Sequence, residues 1–152
     1  VDTHLIGIFR DLILEGHVLI YKHIRYINLE QDQWHGRLEV RVEFYERSSG
    51  RCPTREFLSE LTAPERVFAD RAFERLETYG HELRRPHVDY LRDNIWELRI
   101  KTPDGGLRFL YFFFDGRKIV VTHGFKKKTR AVPPGEIEMA IRCRIDYLER
   151  QR

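Results

Sequence analysis

Residues 94–123 read NIWELRIKTPDGGLRFLYFFFDGRKIVVTH, and this stretch decides the fold. From Asn94 to Lys101, Ile95, Glu97, Arg99 and Lys101 alternate with Trp96, Leu98 and Ile100, the period-two pattern of a half-buried strand. Asp104-Gly105-Gly106 turns the chain. Leu107–Phe114 is a dense aromatic run, which predicts a central strand covered on both faces. Asp115-Gly116 is a two-residue hairpin signal, and Lys118–His123 supplies the next strand. Three strands joined by short turns form a meander.

Working outward, Leu38–Tyr45 alternates Leu38, Val40, Val42 and Phe44 with Glu39, Arg41, Glu43 and Tyr45, a further half-buried strand. Ser48-Ser49-Gly50 is a loop. A short helix after Thr54 places Phe57, Leu58 and Leu61 on one side. Thr62-Ala63-Pro64-Glu65 is a capping box, because the Thr62 hydroxyl can accept from the Glu65 amide while Glu65 reaches back. Ala69, Ala72, Phe73 and Leu76 continue at helical spacing until Gly80. Residues 54–80 therefore read as a helical hairpin. Pro133-Pro134 precedes a last helix whose apolar face is Ile137, Ala140, Ile141, Ile145 and Leu148. The order is strand, helical hairpin, three-stranded meander, C-terminal helix. It predicts an α+β fold on an antiparallel sheet.

The chain has 152 residues, enough for one domain with a real core. Its 41% apolar content argues against disorder. Cys52 and Cys143 are too few for a disulfide scaffold or a four-thiolate zinc site. They read as inert small hydrophobes. Apolar runs such as Phe109–Phe114 are far short of the roughly 20 residues of a membrane span. No secretory signal pattern opens the chain, so the expected location is cytoplasmic. Residues 1–38 fit no single periodicity, and Met139 is the only methionine. That head reads as an N-terminal extension of uncertain status, and 39–152 as the regular domain.

The net charge of +3 is unevenly spread. Residues 1–38 sum to −1, while residues 97–130 carry nine basic residues against Glu97, Asp104 and Asp115. A local basic excess suits a polyanion, or else a solvated face. No phosphate loop or nucleophile elbow is present, and the seven histidines have no metal-ligand spacing, so neither cofactor nor metal is expected. What remains is cationic and aromatic. Arg99, Lys101 and Arg108 flank one turn, and Lys126, Lys127, Lys128 and Arg130 follow the last strand of the meander. Strands about 4.8 Å apart bring these groups to one end of the sheet. Arginine grips phosphate oxygens bidentately, and Tyr111 and Phe125 offer stacking faces to bases. Each has a plainer reading. Arg99 can pair with Glu97 or Asp93, the lysines can be a solvated loop, and Tyr111 and Phe125 can be core.

Several segments together resemble one family. They are Val42-Glu43-Phe44-Tyr45, Cys52-Pro53-Thr54-Arg55-Glu56-Phe57-Leu58, Leu83 through Val88, and Leu91 through Arg99. Arg108-Phe109-Leu110-Tyr111-Phe112-Phe113 and His123-Gly124-Phe125-Lys126-Lys127-Lys128-Thr129 complete the set. The chain resembles the phage-derived HigB-like branch of the RelE/ParE toxin superfamily over about residues 39–150. The resemblance implies a RelE-like fold and the toxin of a type II toxin–antitoxin pair. It implies a ribosome-dependent, metal-independent mRNA endonuclease with a cognate helix-turn-helix antitoxin, the ribosome and mRNA as partners, and no membrane. Carried over, the catalytic positions are Arg99, Arg108, Lys126 and Lys127, with RNA contacts from Lys101, Tyr111, Phe125, Lys128 and Arg130. ParE-like members inhibit gyrase instead, and a third alternative is an inactive module acting through its antitoxin or DNA. RelE has a tyrosine just after its basic segment; Arg130-Ala131-Val132-Pro133 has none, which leaves the general base unassigned.

Overall fold

The computed structural model describes residues 40–152; the head and the expected strand residues Leu38 and Glu39 lie outside the described residues. Nine elements follow in order: β1 (Arg41–Phe44), α1 (Pro53–Glu60), α2 (Ala63–Tyr79), a 3-10 turn (Gly80–Glu82), β2 (Val88–Arg92), β3 (Ile95–Thr102), β4 (Gly105–Phe114), β5 (Lys118–Lys126) and α3 (Pro134–Arg150). The expected α+β architecture is present. The sheet has five strands in the order β1-β5-β4-β3-β2. Strands β2 to β5 form an antiparallel meander, and β1 joins β5 in parallel.

The meander has one strand more than its sequence predicts. β2 pairs with β3 through a two-residue turn at Asp93-Asn94, both with positive φ (52° and 59°). That backbone matches the strand twist and is tolerated best by Asn, Asp and Gly. The Asp115-Gly116 turn also has positive φ at both residues, but the loop is one residue longer than expected. Phe114 pairs with Lys118, which leaves the Arg117 carbonyl to accept from the Arg41 amide of β1.

The sheet is covered on both faces. Leu107, Phe109 and Tyr111 of β4 point into a core closed by α1 and α2, where Phe109 meets Phe57 and Phe73 edge-on, with ring centres 5.6 and 5.0 Å apart. Leu110 and Phe112 point the other way, under α3. The aromatic run is therefore the central strand its composition predicts. Each fully buried ring of this kind contributes about 1.5–3 kcal/mol through removal of apolar surface from water.

Two helix details anchor this arrangement. Thr62 and Glu65 form the capping box in both directions. On α3 the buried residues are Ala140, Cys143 and Tyr147, whereas Ile145 is exposed. The buried stripe is thus rotated from the one expected. Tyr147 turns it, by packing edge-on against Phe112 and Phe114. No helix among the described residues is long and apolar enough to cross a membrane.

Gly124 of β5 lies where α1 presses on the sheet. A Cβ built there falls well inside contact distance of the Phe57 and Phe109 rings. Gly124→Ala is expected to lower stability by about 1–3 kcal/mol, as overpacking of a filled core does, measured as a fall in the urea midpoint at constant slope.

Candidate functional site

The candidate site grows from two rows of side chains that cross the α3 face of the sheet. Register places Arg99, Arg108 and Phe125 in one row, and Asp89, Glu97, Leu110 and His123 in the next. Arg99 and Arg108 are direct neighbours across β3 and β4, an arrangement of like charges that is unfavourable by itself. Glu97 resolves it. Its carboxylate is fully buried, with one oxygen 2.8 Å from Arg99 Nε and the other 2.9 Å from Arg108 Nε. The Arg108 Nε–H is not aimed at its oxygen, so that contact is an ion pair without a directed hydrogen bond.

The chain of charges continues outward on both sides. Arg99 Nη2 donates to Asp89 at 2.6 Å, and Arg85 donates to the other oxygen of Asp89 at 2.7 Å. Burial opposes the Arg99 charge, but Glu97 and Asp89 outweigh it and raise its proton affinity. Burial likewise opposes the Asp89 charge, and Arg85 with Arg99 overcome it, holding the carboxyl below its usual range. Arg108 Nη2 donates to the carbonyls of Arg130 (2.6 Å) and Thr129 (3.1 Å). The segment after β5 is thereby strapped onto the sheet.

Ile95 and Glu97 lie on the side of β3 expected to face solvent. Both are buried, because α3 covers that face. His123 is also buried there, 3.0 Å from Glu136 of α3, the structural setting expected for it. Burial lowers its proton affinity, and Glu136 only partly offsets this.

Beyond Arg99 the sheet end opens into a cleft of about 950 Å³ between α2, the segment before β2 and the β3–β4 turn. Eight of its lining residues are Arg or Lys: Arg71 and Arg75 from α2, Arg85, Arg99, Lys101, Arg108, Lys127 and Arg130. Asp89 is its one acidic residue. Phe68, Ala72, Ile100 and Leu107 make an apolar floor.

The cations fall into two sets. Arg85, Arg99 and Arg108 are neutralised by Asp89 and Glu97. Arg71, Arg75, Lys101, Lys127 and Arg130 have no acidic partner among the described residues. The second set carries the charge available to an incoming anion.

The structure brings Arg99, Lys101, Arg108, Lys127 and Arg130 to this cleft and moves other expected residues away from it. Tyr111 is a correction. It is 1% exposed inside the α2-side core, edge-on to Phe113, so it offers no face to a base. Phe125 is half-buried against the α3-side core with its ring near His123, and it does not line the cleft. Lys126 points to the opposite face from Phe125 and pairs with Glu65 at 2.9 Å, holding that carboxyl below its usual range. Lys128 is exposed outside the cleft. Sequence reasoning missed Arg71, Arg75, Arg85, His87 and Asp89. The four-residue spacing of Arg71 and Arg75 on a helix was the available signal.

Glu97→Ala leaves two arginines without their buried counter-charge. It is expected to cost about 3–5 kcal/mol, read from chemical denaturation. Asp89→Asn is expected to be less stable than the native chain at neutral pH. Because the Asp89 carboxyl titrates below its ordinary 3.8, its contribution is present above that value and is lost as pH falls through the depressed one. The stability gap between the two proteins should therefore close in strong acid.

Residues 56–144 match the family described as phage-derived Gp49-like proteins (DUF891). No curated protein matches the chain. The matched span is more than half of the sequence and runs from α1 into α3, through every residue of the cationic cleft. The chain therefore belongs to the phage-derived Gp49-like family, within the RelE/ParE-like toxin superfamily.

Proposed function

We propose that this chain is the toxin of a toxin–antitoxin pair and that it cleaves mRNA on the ribosome through its own cationic side chains, without a metal ion. The observation that carries this reading is the cleft itself, with five cations that have no acidic partner among the described residues, above an apolar floor. Family membership supports a toxin role with an antitoxin partner. The partner in this reading is a helix-turn-helix antitoxin, and the work is done in the cytoplasm. The toxin domain comprises residues 39–152, and residues 1–38 are an extension to it.

RNA cleavage of this kind needs a proton removed from the 2′-hydroxyl, stabilisation of a crowded pentavalent phosphate, and a proton for the departing 5′-oxygen. Lys101 and Lys127 face the cleft and suit the second task. Arg99 lies beside them with its side chain 36% exposed, so one edge can still meet a phosphate. Arg108 is 4% exposed, is ion-paired with Glu97, and donates to two carbonyls. Its part in this reading is to position the basic segment. Of the two assigned lysines, Lys127 takes the catalytic role more readily than Lys126, whose ammonium is drawn to Glu65.

One observation favours a second reading, a binding module without catalysis: Arg99 and Arg108 are already neutralised within the protein. A reconstituted translation reaction with a defined mRNA, mapped by primer extension with and without ribosomes, separates the two. The expected result is cleavage only with ribosomes, reduced about 100-fold in Lys101→Ala/Lys127→Ala. No cleavage by the folded native chain would overturn the endonuclease reading in favour of the binding module.

A further inference from the structure

Helix α2 contributes Arg71 and Arg75 to the lining of the cleft, which the β3–β4 turn also lines. They lie one helical turn apart on one face, on the order of the step between successive phosphates of an extended strand. Both are exposed, and neither has an acidic partner among the described residues. Arg75 has one neighbour of note. Its Nη1 lies 3.0 Å from Nδ1 of His87, which also lines the cleft. The same Nη1 lies 3.5 Å from Nε2, so it approaches across the ring and not along one nitrogen's lone pair, a contact that an anion can replace. His87 itself is fixed in place, because its carbonyl accepts from the Arg99 amide at 2.7 Å.

From this geometry we infer that α2 forms a second phosphate-binding wall for single-stranded RNA, made of Arg71 and Arg75. The inference deepens the endonuclease reading and rests on it for the choice of RNA as ligand. A phosphate offers Arg75 a charge-assisted, bidentate partner in place of the imidazole. Asp89 is the one carboxylate lining the cleft, and it is held by Arg85 and Arg99, so it does not compete with a bound anion for the two α2 arginines. Phe68, Ala72, Ile100 and Leu107 add apolar surface to the same cleft, which bases can cover.

The test uses the full chain and a short, fluorescein-labelled, 2′-O-methylated single-stranded RNA, which cannot be cleaved. Arg71→Ala/Arg75→Ala is expected to bind about fivefold more weakly at moderate salt and to lower the salt slope by about 0.7 for each arginine removed. Arg71→Lys/Arg75→Lys should restore most of the slope. Unchanged affinity and slope in the alanine double variant would overturn the wall. Unchanged RNA binding with weakened binding of a poly-glutamate peptide would also overturn it, and would assign these arginines to an acidic protein. Since the probe is uncleavable, failure of ribosome-dependent cleavage would count against the endonuclease alone. Intact cleavage with unmoved binding in the double variant would remove the wall alone.

Discussion

A single buried carboxylate sets the terms for this molecule. Two arginines face each other on adjacent strands, and Glu97 lies between them with no exposure to solvent. Burying the carboxylate is unfavourable without counter-charges, and holding the two guanidiniums together is unfavourable without the carboxylate. Each condition therefore fixes the others. The result is a rigid platform at the sheet end, reinforced outward by Asp89 and Arg85. Because these arginines are neutralised internally, the cations available to the cleft are others: Arg71 and Arg75 on a helix, Lys101 near the end of β3, and Lys127 and Arg130 in the segment after β5.

That division of labour separates folding from binding. Removing a cation from the neutralised set disturbs the platform. The cations without an acidic partner among the described residues can be changed at little structural cost, since they lie at the surface and only Arg75 among them has a side-chain contact of note, with His87. The two cores lie on opposite faces of β4, so the platform is supported from both sides. This firm support suits the placement of charge around an anion that the proposed function requires.

Much of the fold was legible because β3, β4 and β5 have turn residues where turns occur and apolar residues where cores form. The capping box at Thr62 and Glu65 was explicit. β2 was harder to read, since Val88–Arg92 is short and lies at the sheet edge with a register shift, although Asp93-Asn94 is a turn pair of the right kind. Strand alternation places Glu97 correctly on a face but does not say that a helix from the far end of the chain will cover it. The same gap affected Tyr111, whose face is decided by α2, and Ile145, whose exposure is decided by Tyr147. At the site, sequence proximity gathered the basic residues of the meander. It could not reveal Arg71 and Arg75, which reach the same cleft from a helix, nor show that Lys126 and Lys127 leave the strand on different errands.

Those two lysines have a consequence for how the protein meets a ligand. Lys126 is tied to the cap of α2 through Glu65, the Lys127 amide donates to the Gly106 carbonyl at 2.8 Å, and the carbonyls of Thr129 and Arg130 are held by Arg108. The basic segment is thus pinned at both ends before any ligand arrives. Ordering a free loop on binding would cost about 1–2 kcal/mol of backbone entropy per residue. Here folding has already restricted much of that freedom, so more of the attraction between the segment and an anion remains as affinity. Exposed charge on a restrained backbone gives the cleft a fixed electrostatic shape, one that selects ligands by fit as well as by charge.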